Sequence, residues 1–438
     1  MPDRVFYCRN IGLRCYGSHI AGGKLKSRRQ FLTRSVALGI TLAIPDLTSE
    51  LGSPSAAGAT LKDKKLRLFG DLGYRKFSPV GLRMDDGTRV PELHDGMGCF
   101  QARNGNYVLV RNHEIAAWEN SPLPDFAYDS GCRGGTTTIE LTPELDLVGH
   151  HLSLTGTLRN CAGGETPWNT WLSCEEIFTA TPRRPHGYVF EVDPFAAAIE
   201  KPRRLTGLGR FRHEAVGVTP AGIAYLTEDQ HDSCFYRFVP RGEPWGTDGT
   251  LEALKVVGRD RYDTARAGLA RGASLDCEWV AVPEPDPGPD SVRYQAHDAG
   301  AALIMRGEGI AISGDAVYFT ATTGGRRRLG QIFRYTPRDA DAGTLTLVYE
   351  CTDDALIHPD NLTVSPWGDL IVCEDREGRP SRLVGLTADS ELYPIAENAN
   401  GEWAGACFSP DGKVLFANNQ VAGYTLALTG LSEAFRRA

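Results

Sequence analysis

A short pattern recurs along this sequence and constrains the fold more than any other feature. In each copy, a turn that contains glycine precedes a run of aliphatic, β-branched or aromatic residues, and the run ends in polar residues. The copies occupy residues 104–114, 219–229, 313–322, 365–375 and 409–420. Gly314, Gly368 and Gly412, from the last three copies, are 54 and then 44 residues apart, near the repeat length of a propeller blade. The pattern predicts an all-β fold of repeated strands.

A second kind of strand accompanies several copies and indicates how each repeat is built. It ends in aromatic residues and a polar turn, and it occupies residues 187–193, 234–240 and 331–337. Four-stranded blades around an axis explain both kinds of strand, and about six blades fit the chain length. We therefore expect a single six-bladed β-propeller as the catalytic domain, over residues 60–438. Pro- and Gly-rich stretches at 241–249 and 282–298 predict inserted loops and short helices.

Residues 1–59 predict an export leader and linker rather than part of the fold. The run Ser-Arg-Arg-Gln-Phe-Leu at 27–32 precedes an apolar stretch at 36–44 and a small-residue cleavage site at 57–59, the pattern of a twin-arginine signal. The apolar stretch is too short to span about 30 Å of hydrocarbon. We therefore expect export by the twin-arginine machinery, no stable membrane anchor, and a periplasmic or secreted location. That pathway moves folded proteins, which favours metals loaded before export.

Charge and cysteine content exclude several classes of function. The formal net charge of −8 argues against a nucleic-acid-binding surface and is compatible with bound cations. The nine cysteines after the leader have irregular spacing without a Cys-x-x-Cys motif, so neither a zinc ribbon nor a small disulfide framework fits. An oxidising compartment permits some disulfides, and Cys99 with Cys132 is the first pair that we expect. An odd total leaves at least one thiol unpaired.

The stretch 156–177 contains the most specific candidate site. Cys161 lies on an Asn-Cys-Ala-Gly-Gly loop, and a short aromatic strand after it ends in Glu175 and Glu176. If the loop folds back over this strand, a thiolate and a carboxylate face one small volume, which suits iron or zinc beside a harder cation. A buried structural cysteine is the alternative interpretation. The Gly-Gly, Thr-Pro-Trp and Glu-Glu context favours a metal site.

Acidic residues open the apolar runs of successive repeats. They are Glu214, Glu308, Asp360 and Glu402. Three acids near other strand ends extend the set: Glu114, Glu176 and Glu374. Innermost propeller strands line a central channel, so equivalent acids should converge on its axis. Each close pair of carboxylates would cost on the order of several kcal/mol unless neutralised, and bound polyvalent cations such as Ca²⁺ are the simplest solution.

A thiolate, a ring of carboxylates and several cations favour hydrolysis of an anionic substrate by a metal-bound oxygen nucleophile. Arg306, two residues before Glu308, is placed to hold a phosphate or carboxylate oxygen. His113 and His213 adjoin site acids, but adjacent strand residues face opposite sides, so we predict packing or supporting roles for them. The sequence contains neither Gly-x-Ser-x-Gly nor Gly-x-Gly-x-x-Gly.

Six motifs together resemble the PhoX-type bacterial alkaline phosphatases over nearly all of the chain after the leader. They are Asn-His-Glu at 112–114, Asn-Cys-Ala-Gly-Gly-x-Thr-Pro-Trp at 160–168 with Cys-Glu-Glu at 174–176, Gly-Arg-Phe-x-His-Glu at 209–214, Arg-x-Glu-Gly at 306–309, Pro-Asp-Asn-Leu at 359–362 and Cys-Glu-Asp at 373–375. The resemblance implies a twin-arginine-exported six-bladed propeller. It also implies a phosphomonoesterase that uses an iron and calcium cluster, with Fe³⁺ bound by one cysteine and Ca²⁺ by carboxylates.

Carried over position by position, the resemblance implies that Cys161 binds iron and that Arg306 holds the substrate phosphate. It places Cys161, Arg306 and Glu308 among the catalytic residues. The implied metal ligands are Glu114, Cys161, Glu176, Glu214, Glu308, Asp360 and Glu374.

We therefore predict a monomeric, metal-dependent alkaline phosphatase that releases phosphate from small phosphorylated organic compounds and serves phosphate acquisition. One alternative is a calcium-dependent propeller hydrolase acting on lactones or phosphotriesters, which would need the acids but would tolerate Cys161→Ser. Another is a non-catalytic binding module with structural metals, whose metal-replete form would hydrolyse nothing.

Overall fold

Strands account for nearly all the regular structure in the described part of this chain, because short runs of alternating apolar residues are separated by tight turns. The computed structural model describes residues 65–117, 126–181, 183–376, 378–399 and 401–435. These residues form 28 strands, two short α-helices, Val292–Asp298 and Leu431–Phe435, and a 3-10 turn at Thr206–Leu208. No helix in this part of the chain is both long and apolar enough to cross a membrane. The predicted export leader lies outside the described residues and stays a prediction.

The first half of the chain supplies two N-terminal strands and three four-stranded antiparallel units. The N-terminal strands are β1 (Leu66–Leu68) and β2 (Gly73–Phe77). The first unit contains β3 (His94–Gln101), β4 (Tyr107–His113), β5 (Gly134–Leu141) and β6 (Leu147–Thr157). Next come β7 (Asn160–Glu165), β8 (Trp171–Glu175), the separate pair β9 (Thr179–Ala180) and β10 (Pro185–His186), then β11 (Val189–Val192) and β12 (Arg203–Leu205). The third unit contains β13 (His213–Val218), β14 (Ala224–Glu228), β15 (Phe235–Pro240) and β16 (Gly249–Val256).

The second half supplies a bridging strand and three further units. The bridging strand is β17 (Ser274–Ala281). The fourth unit contains β18 (Gly307–Ser313), β19 (Ala316–Ala321), β20 (Gln331–Pro337) and β21 (Ala342–Glu350). The fifth contains β22 (Pro359–Val364), β23 (Leu370–Glu374), β24 (Ser381–Leu386) and β25 (Leu392–Asn398). The last contains β26 (Trp403–Phe408), β27 (Val414–Asn419) and β28 (Tyr424–Thr429), completed by β2.

The six units are arranged as a propeller, which confirms the predicted fold class. The first strand of each unit contacts the first strand of the next, and β26 contacts β3, so the innermost strands close a ring. β2 pairs with β28, and β1 pairs with β25, so the N-terminal strands complete the last two units. β17 lies between β16 and β21 and joins the third and fourth units into one nine-stranded sheet. Such closure leaves only short sheet edges exposed.

Aromatic residues fill the spaces between neighbouring units. Phe235 of the third unit stacks on Phe319 of the fourth with ring centroids 4.1 Å apart, and both are fully buried. Each such pair contributes about 0.5–1.5 kcal/mol beyond the burial of its apolar surface. Phe416 of the last unit contacts Phe77 and Tyr107 edge to face. These contacts hold adjacent units in register, and so they fix where the ends of the innermost strands lie.

The disulfide expected between Cys99 and Cys132 is wrong. All nine cysteines of the described residues are free thiols. Cys99 lies on β3 in an apolar cluster with Cys407, whereas Cys132 lies beside His186, with its sulfur 3.7 Å from the ring nitrogen Nε2. Sequence spacing cannot reveal that the two cysteines pack against different units.

Candidate metal centre

A β-bulge at the start of the innermost strands places the candidate ligands. In five of these strands the pairing with the second strand is interrupted after the first paired residue, between His94 and Met97, Asn160 and Gly163, His213 and Val216, Gly307 and Ile310, and Pro359 and Leu362. The residue just after the first paired position is, in order, Asp95, Cys161, Glu214, Glu308 and Asp360. A bulge re-aims a side chain out of the regular alternation of a strand. The repeated bulge therefore turns five ligating side chains toward the axis of the ring of innermost strands.

The sixth innermost strand departs from this arrangement. Its pairing is interrupted between Ala404 and Cys407, which puts Gly405 in the position that holds a ligand elsewhere. Gly405 has φ of 59°, and a Cβ atom there would lie 2.3 Å from the carbonyl oxygen of Asp95. The expectation that Glu402 stands in register with the other acids is therefore wrong. Glu402 precedes β26, and its carbonyl oxygen accepts a hydrogen bond from the backbone N–H of Gln420.

Acid doublets at the ends of second strands provide a further set of carboxylates. The doublets are Glu175–Glu176, Glu228–Asp229 and Glu374–Asp375. The first acid of each pairs across the sheet with the first residue of an innermost strand and is fully buried. Its carboxylate is used in the protein framework: Glu228 accepts from the Tyr236 hydroxyl at 2.7 Å. In the same way, Glu374 accepts from the N–H of Ile357 at 2.9 Å and from Arg382 at 2.6 and 2.7 Å.

The second acid of each doublet belongs to the centre. Glu176 lies with Cys161 and Glu214, and Asp229 binds Arg306. The carboxylate of Asp375 is close enough to Asp360 to contribute to its raised pKa. The structure does not bring Glu374 to the centre. By strand register, Asp375 occupies the place that the sequence assigned to Glu374.

Three adjoining groups of ligand atoms result from this arrangement. The groups are Asp95, Glu114 and Cys161; Cys161, Glu176 and Glu214; and Glu214, Glu308 and Asp360. Within each group the ligand atoms all lie within 4.8 Å of one another. Consecutive groups share Cys161 or Glu214, so the groups form a row. Six of the seven ligands predicted from sequence are thus brought together, and Asp95 joins them.

The protonation of this centre shows how unfavourable its charge is without cations. Burial raises the pKa of Glu214 well above its usual value, and the nearby Glu176 and Glu308 raise it further. Burial likewise raises the pKa of Glu308 and Asp360, and that of Asp95 to about 7 with a contribution from Glu114. The Oε1 atom of Glu214 is buried without a hydrogen-bond partner. A buried acceptor costs about 1–3 kcal/mol when it is left unsatisfied. A thiol, several carboxylates and an unsatisfied oxygen fit a site for metal cations.

Two arginines lie among these acids. The guanidinium of Arg159 bonds Glu114 and, at 2.6 Å, Glu176. That of Arg306 bonds both carboxylate oxygens of Asp229 at 2.9 and 3.1 Å and forms an ion pair with Glu308. Each arginine lies two residues before a bulge ligand in a left-handed backbone conformation, with φ of 49° and 55°. Arg306 therefore lies at the centre, where the sequence placed it.

Four residues that lie at this centre were not predicted from the sequence. They are Asp95, Arg159, Asp229 and Asp375. The acid doublets could have indicated Asp229 and Asp375, since the second acid of each lies just after the end of its strand. Arg159 precedes Cys161 by two residues, as Arg306 precedes Glu308. Asp95 is bonded at 2.6 Å by Gln420, from the last unit, which no local pattern reveals.

The central channel continues past the ligands. A cavity of about 330 Å³ is lined by the residue that follows each bulge position: Gly96, Ala162, Ala215, Gly309, Asn361 and Ala406. Because most of these side chains are small, the axis stays open. His113 and His213 do not face it, since both are fully buried and bond the backbone carbonyls of Glu92 and Gly209 at 3.0 Å.

The register assignment predicts different outcomes for two neighbouring acids. Asp375→Asn should lower the amount of bound metal, because it removes a carboxylate from the centre, and it should change the melting temperature of the metal-free protein less than Glu374→Gln does. Glu374→Gln should lower that melting temperature, since it breaks the buried contact with Arg382 and costs about 3–5 kcal/mol. Elemental analysis and thermal melts of both variants check this. Loss of metal in Glu374→Gln alone would contradict the assignment.

Raised carboxyl pKa values also predict how the metal-free protein responds to pH. A carboxyl that binds its proton more tightly when folded adds stability at low pH, and that contribution is lost as pH rises through the folded pKa. Between pH 7 and 8, the histidines of the unfolded chain, with their ordinary pKa of about 6.5, have already lost most of their protons and oppose the trend only weakly. The melting temperature of chelator-treated protein should therefore fall. Added Ca²⁺ should raise it more at pH 8 than at pH 7. Equal melting temperatures with and without chelator at pH 8 would contradict this expectation.

Comparison with solved structures finds the same fold in one of the proteins described below. PhoX from Pseudomonas fluorescens, in complex with vanadate, a transition state analogue, is 19% identical, with a TM-score of 0.65 over 83% of this chain and 96% of that one. A gluconolactonase from Xanthomonas campestris is 14% identical over 81% of this chain and 99% of that one, with a TM-score of only 0.39. A search of curated proteins found no match.

A family model gives the more specific result. The model described as alkaline phosphatase PhoX matches residues 130–423, which include the Cys161 loop and four of the five bulge ligands. This match covers well over half of the sequence, and the chain belongs to the PhoX alkaline phosphatase family.

Proposed function

We propose that this protein hydrolyses phosphomonoesters and releases phosphate, using Fe³⁺ and Ca²⁺ held on the propeller axis. The observation that carries the proposal is the row of three adjoining ligand groups in a member of the PhoX family. The P. fluorescens protein of the same fold is described in complex with vanadate, a transition state analogue, and we propose phosphate-ester chemistry for this chain on that basis.

The two kinds of donor support two kinds of cation. Cys161 belongs to two of the three groups, and a thiolate favours a transition metal such as iron. The third group, Glu214, Glu308 and Asp360, offers oxygen atoms only, which suits Ca²⁺. When bound, the cations would hold phosphate oxygens and stabilise the charge that develops on them.

Arg306 is suited to bind the transferred phosphate. Asp229 receives two of its N–H groups, which fixes the plane of the guanidinium beside Glu308, and a planar guanidinium suits the oxygens of a phosphate. Its side chain is 17% exposed, so it remains accessible at the edge of the centre. Because Asp229 fixes its orientation in advance, Arg306 loses little conformational entropy when it binds a phosphate oxygen.

The thiol proton of Cys161 also has a defined position. Its sulfur lies 3.6 Å from Oδ2 of Asp95, and burial together with Asp95 and Glu214 raises the pKa of Cys161. The thiol therefore keeps its proton until a cation displaces it. Gln420 donates to Asp95 and to Glu114 at 2.6 and 3.0 Å, which holds the two carboxylates side by side around this sulfur.

We further propose that the twin-arginine pathway exports the protein to the periplasm or beyond the cell. There it would act as a monomer on small organic phosphates and serve phosphate acquisition. These statements rest on the leader sequence and on the family.

Cys161→Ser should separate this proposal from a calcium-dependent hydrolase. We expect kcat/KM for a chromogenic phosphomonoester to fall at least 100-fold and iron to be lost, because the thiolate belongs to two ligand groups. Cys351→Ala is the matched control: Cys351 is a buried thiol in an apolar cluster, and its loss should leave activity intact. Full activity in Cys161→Ser would favour the calcium-dependent alternative.

Arg306→Lys should raise KM more than it lowers kcat. Lysine keeps the charge but cannot bond Asp229 with two parallel N–H groups and still present a fixed donor to the phosphate. We expect kcat/KM to fall about 10- to 100-fold. Arg338→Lys, at a half-exposed arginine in the turn between β20 and β21, is the control. An unchanged KM for phosphomonoesters, together with an unchanged inhibition constant for vanadate, would show that Arg306 does not bind the phosphate.

A further inference from the structure

A second cluster of metal-ligating side chains lies outside the axial centre. Asp129, Cys132 and His186 are all nearly or fully buried, with exposures of 1%, 0% and 0%. Their ligand atoms all lie within 4.8 Å of one another. Asp129 and Cys132 come from the segment before β5, and His186 lies on β10. The cluster therefore joins two segments that share no long strand pairing.

Two of the three ligand-atom separations are close to those of a tetrahedral site. Nε2 of His186 is 3.7 Å from Sγ of Cys132 and 3.7 Å from Oδ2 of Asp129. A zinc ion with bonds of about 2.0–2.1 Å to nitrogen and oxygen and about 2.3 Å to sulfur separates its ligands by about 3.3–3.6 Å. Shifts of a few tenths of an ångström would bring these separations to those around one ion.

The orientation of His186 supports this role. Its Nδ1 lies 2.7 Å from Oε1 of Glu175. Glu175 also accepts from the backbone N–H groups of Leu158 and Gly187 at 2.9 and 2.8 Å, so its position is fixed. With Nδ1 directed at Glu175, the other ring nitrogen, Nε2, faces Cys132 and Asp129. A carboxylate behind a histidine in this manner is typical of zinc sites.

Asp129 has other partners, which leave one of its oxygens facing the cluster. Oδ1 accepts from the N–H of Gly131 at 2.8 Å and lies 3.7 Å from Arg183. Oδ2 accepts from the Thr181 hydroxyl and faces His186. These contacts position the carboxylate, and the second lone pair of Oδ2 remains for an ion.

A catalytic cysteine is the alternative interpretation, because nucleophilic thiols also lie beside a histidine that a carboxylate orients. Here, however, the sulfur is fully buried, so a substrate cannot reach it. Burial, with Asp129 and Glu175 nearby, raises the pKa of Cys132 to about 12, opposite to what an activated thiol needs. A bound divalent ion would displace this proton and neutralise the thiolate and Asp129 together.

We propose that Asp129, Cys132 and His186 bind one zinc ion. This zinc ties the segment before β5 to the short β9–β10 pair. Through Glu175 it also supports the strand end that carries Glu176, a ligand of the axial centre. The mixture of one thiolate, one imidazole and one carboxylate is one that zinc accepts and that calcium does not favour.

Elemental analysis of the full-length exported protein, purified from zinc-replete medium, tests the proposal. We expect about one equivalent of zinc in the native protein, and loss of that equivalent in Cys132→Ala and in His186→Ala, with calcium and iron retained. Cys234→Ala is the matched control, since Cys234 is a buried thiol 3.7 Å from Nδ1 of His297, whose Nε2 bonds a backbone carbonyl. It should keep its zinc.

Cobalt provides a test that does not depend on folding of the Cys132 variant. In a Cys161→Ser background, Cys132 is the ligand thiol outside the axial centre, so added Co²⁺ should give a thiolate-to-cobalt charge-transfer band that zinc abolishes. Absence of both zinc in the native protein and this band would overturn the proposal. The proposal would also be overturned if folded Cys132→Ala retained its zinc, or if this variant lost a different metal instead of zinc.

Discussion

The mutual repulsion of buried carboxylates on the propeller axis is the constraint on which the rest of this structure depends. Asp95, Glu214, Glu308 and Asp360 come from four different units, and burial and mutual repulsion raise the pKa of each. A fold that brings such groups together must protonate them or bind cations between them. Arg159 and Arg306 offset only part of the charge, because each is already shared between two acids. The remaining negative charge is what makes the centre suited to polyvalent cations.

The fold produces this crowding with one local device used repeatedly. A residue in the left-handed conformation is followed two positions later by a ligand within a bulge, at Leu93, Arg159, Arg306 and His358. Left-handed non-glycine residues are each destabilising by about 1–2 kcal/mol. Closure of the ring and aromatic packing between units stabilise the fold enough to keep them. The strain lies where the ligands are aimed, as expected for a functional site.

The sequence was sufficient for the propeller because a glycine turn followed by an apolar run is a local signal repeated many times. It was also sufficient for Glu214, Glu308 and Asp360, because each opens the apolar run of its repeat, and for Cys161, because the Asn-Cys-Ala-Gly-Gly loop is a distinctive local motif. Glu374 and Glu402 show the limit. Glu374 lies one residue before the acid that reaches the centre, and Glu402 lies three residues before the ligand position at Gly405. Register decides which residue faces the axis, and a bulge shifts register without changing the residue pattern. Asp95 and the separation of Cys99 from Cys132 depend on contacts between distant units, which spacing does not report.

The most direct test of the central claim is anomalous X-ray diffraction from crystals of the exported protein, with data collected on both sides of the iron absorption edge. The account predicts an iron peak beside the sulfur of Cys161 and weaker calcium density among Glu214, Glu308 and Asp360. An axis without metal density, where these carboxyl groups are hydrogen-bonded to one another as neutral acids, would contradict it.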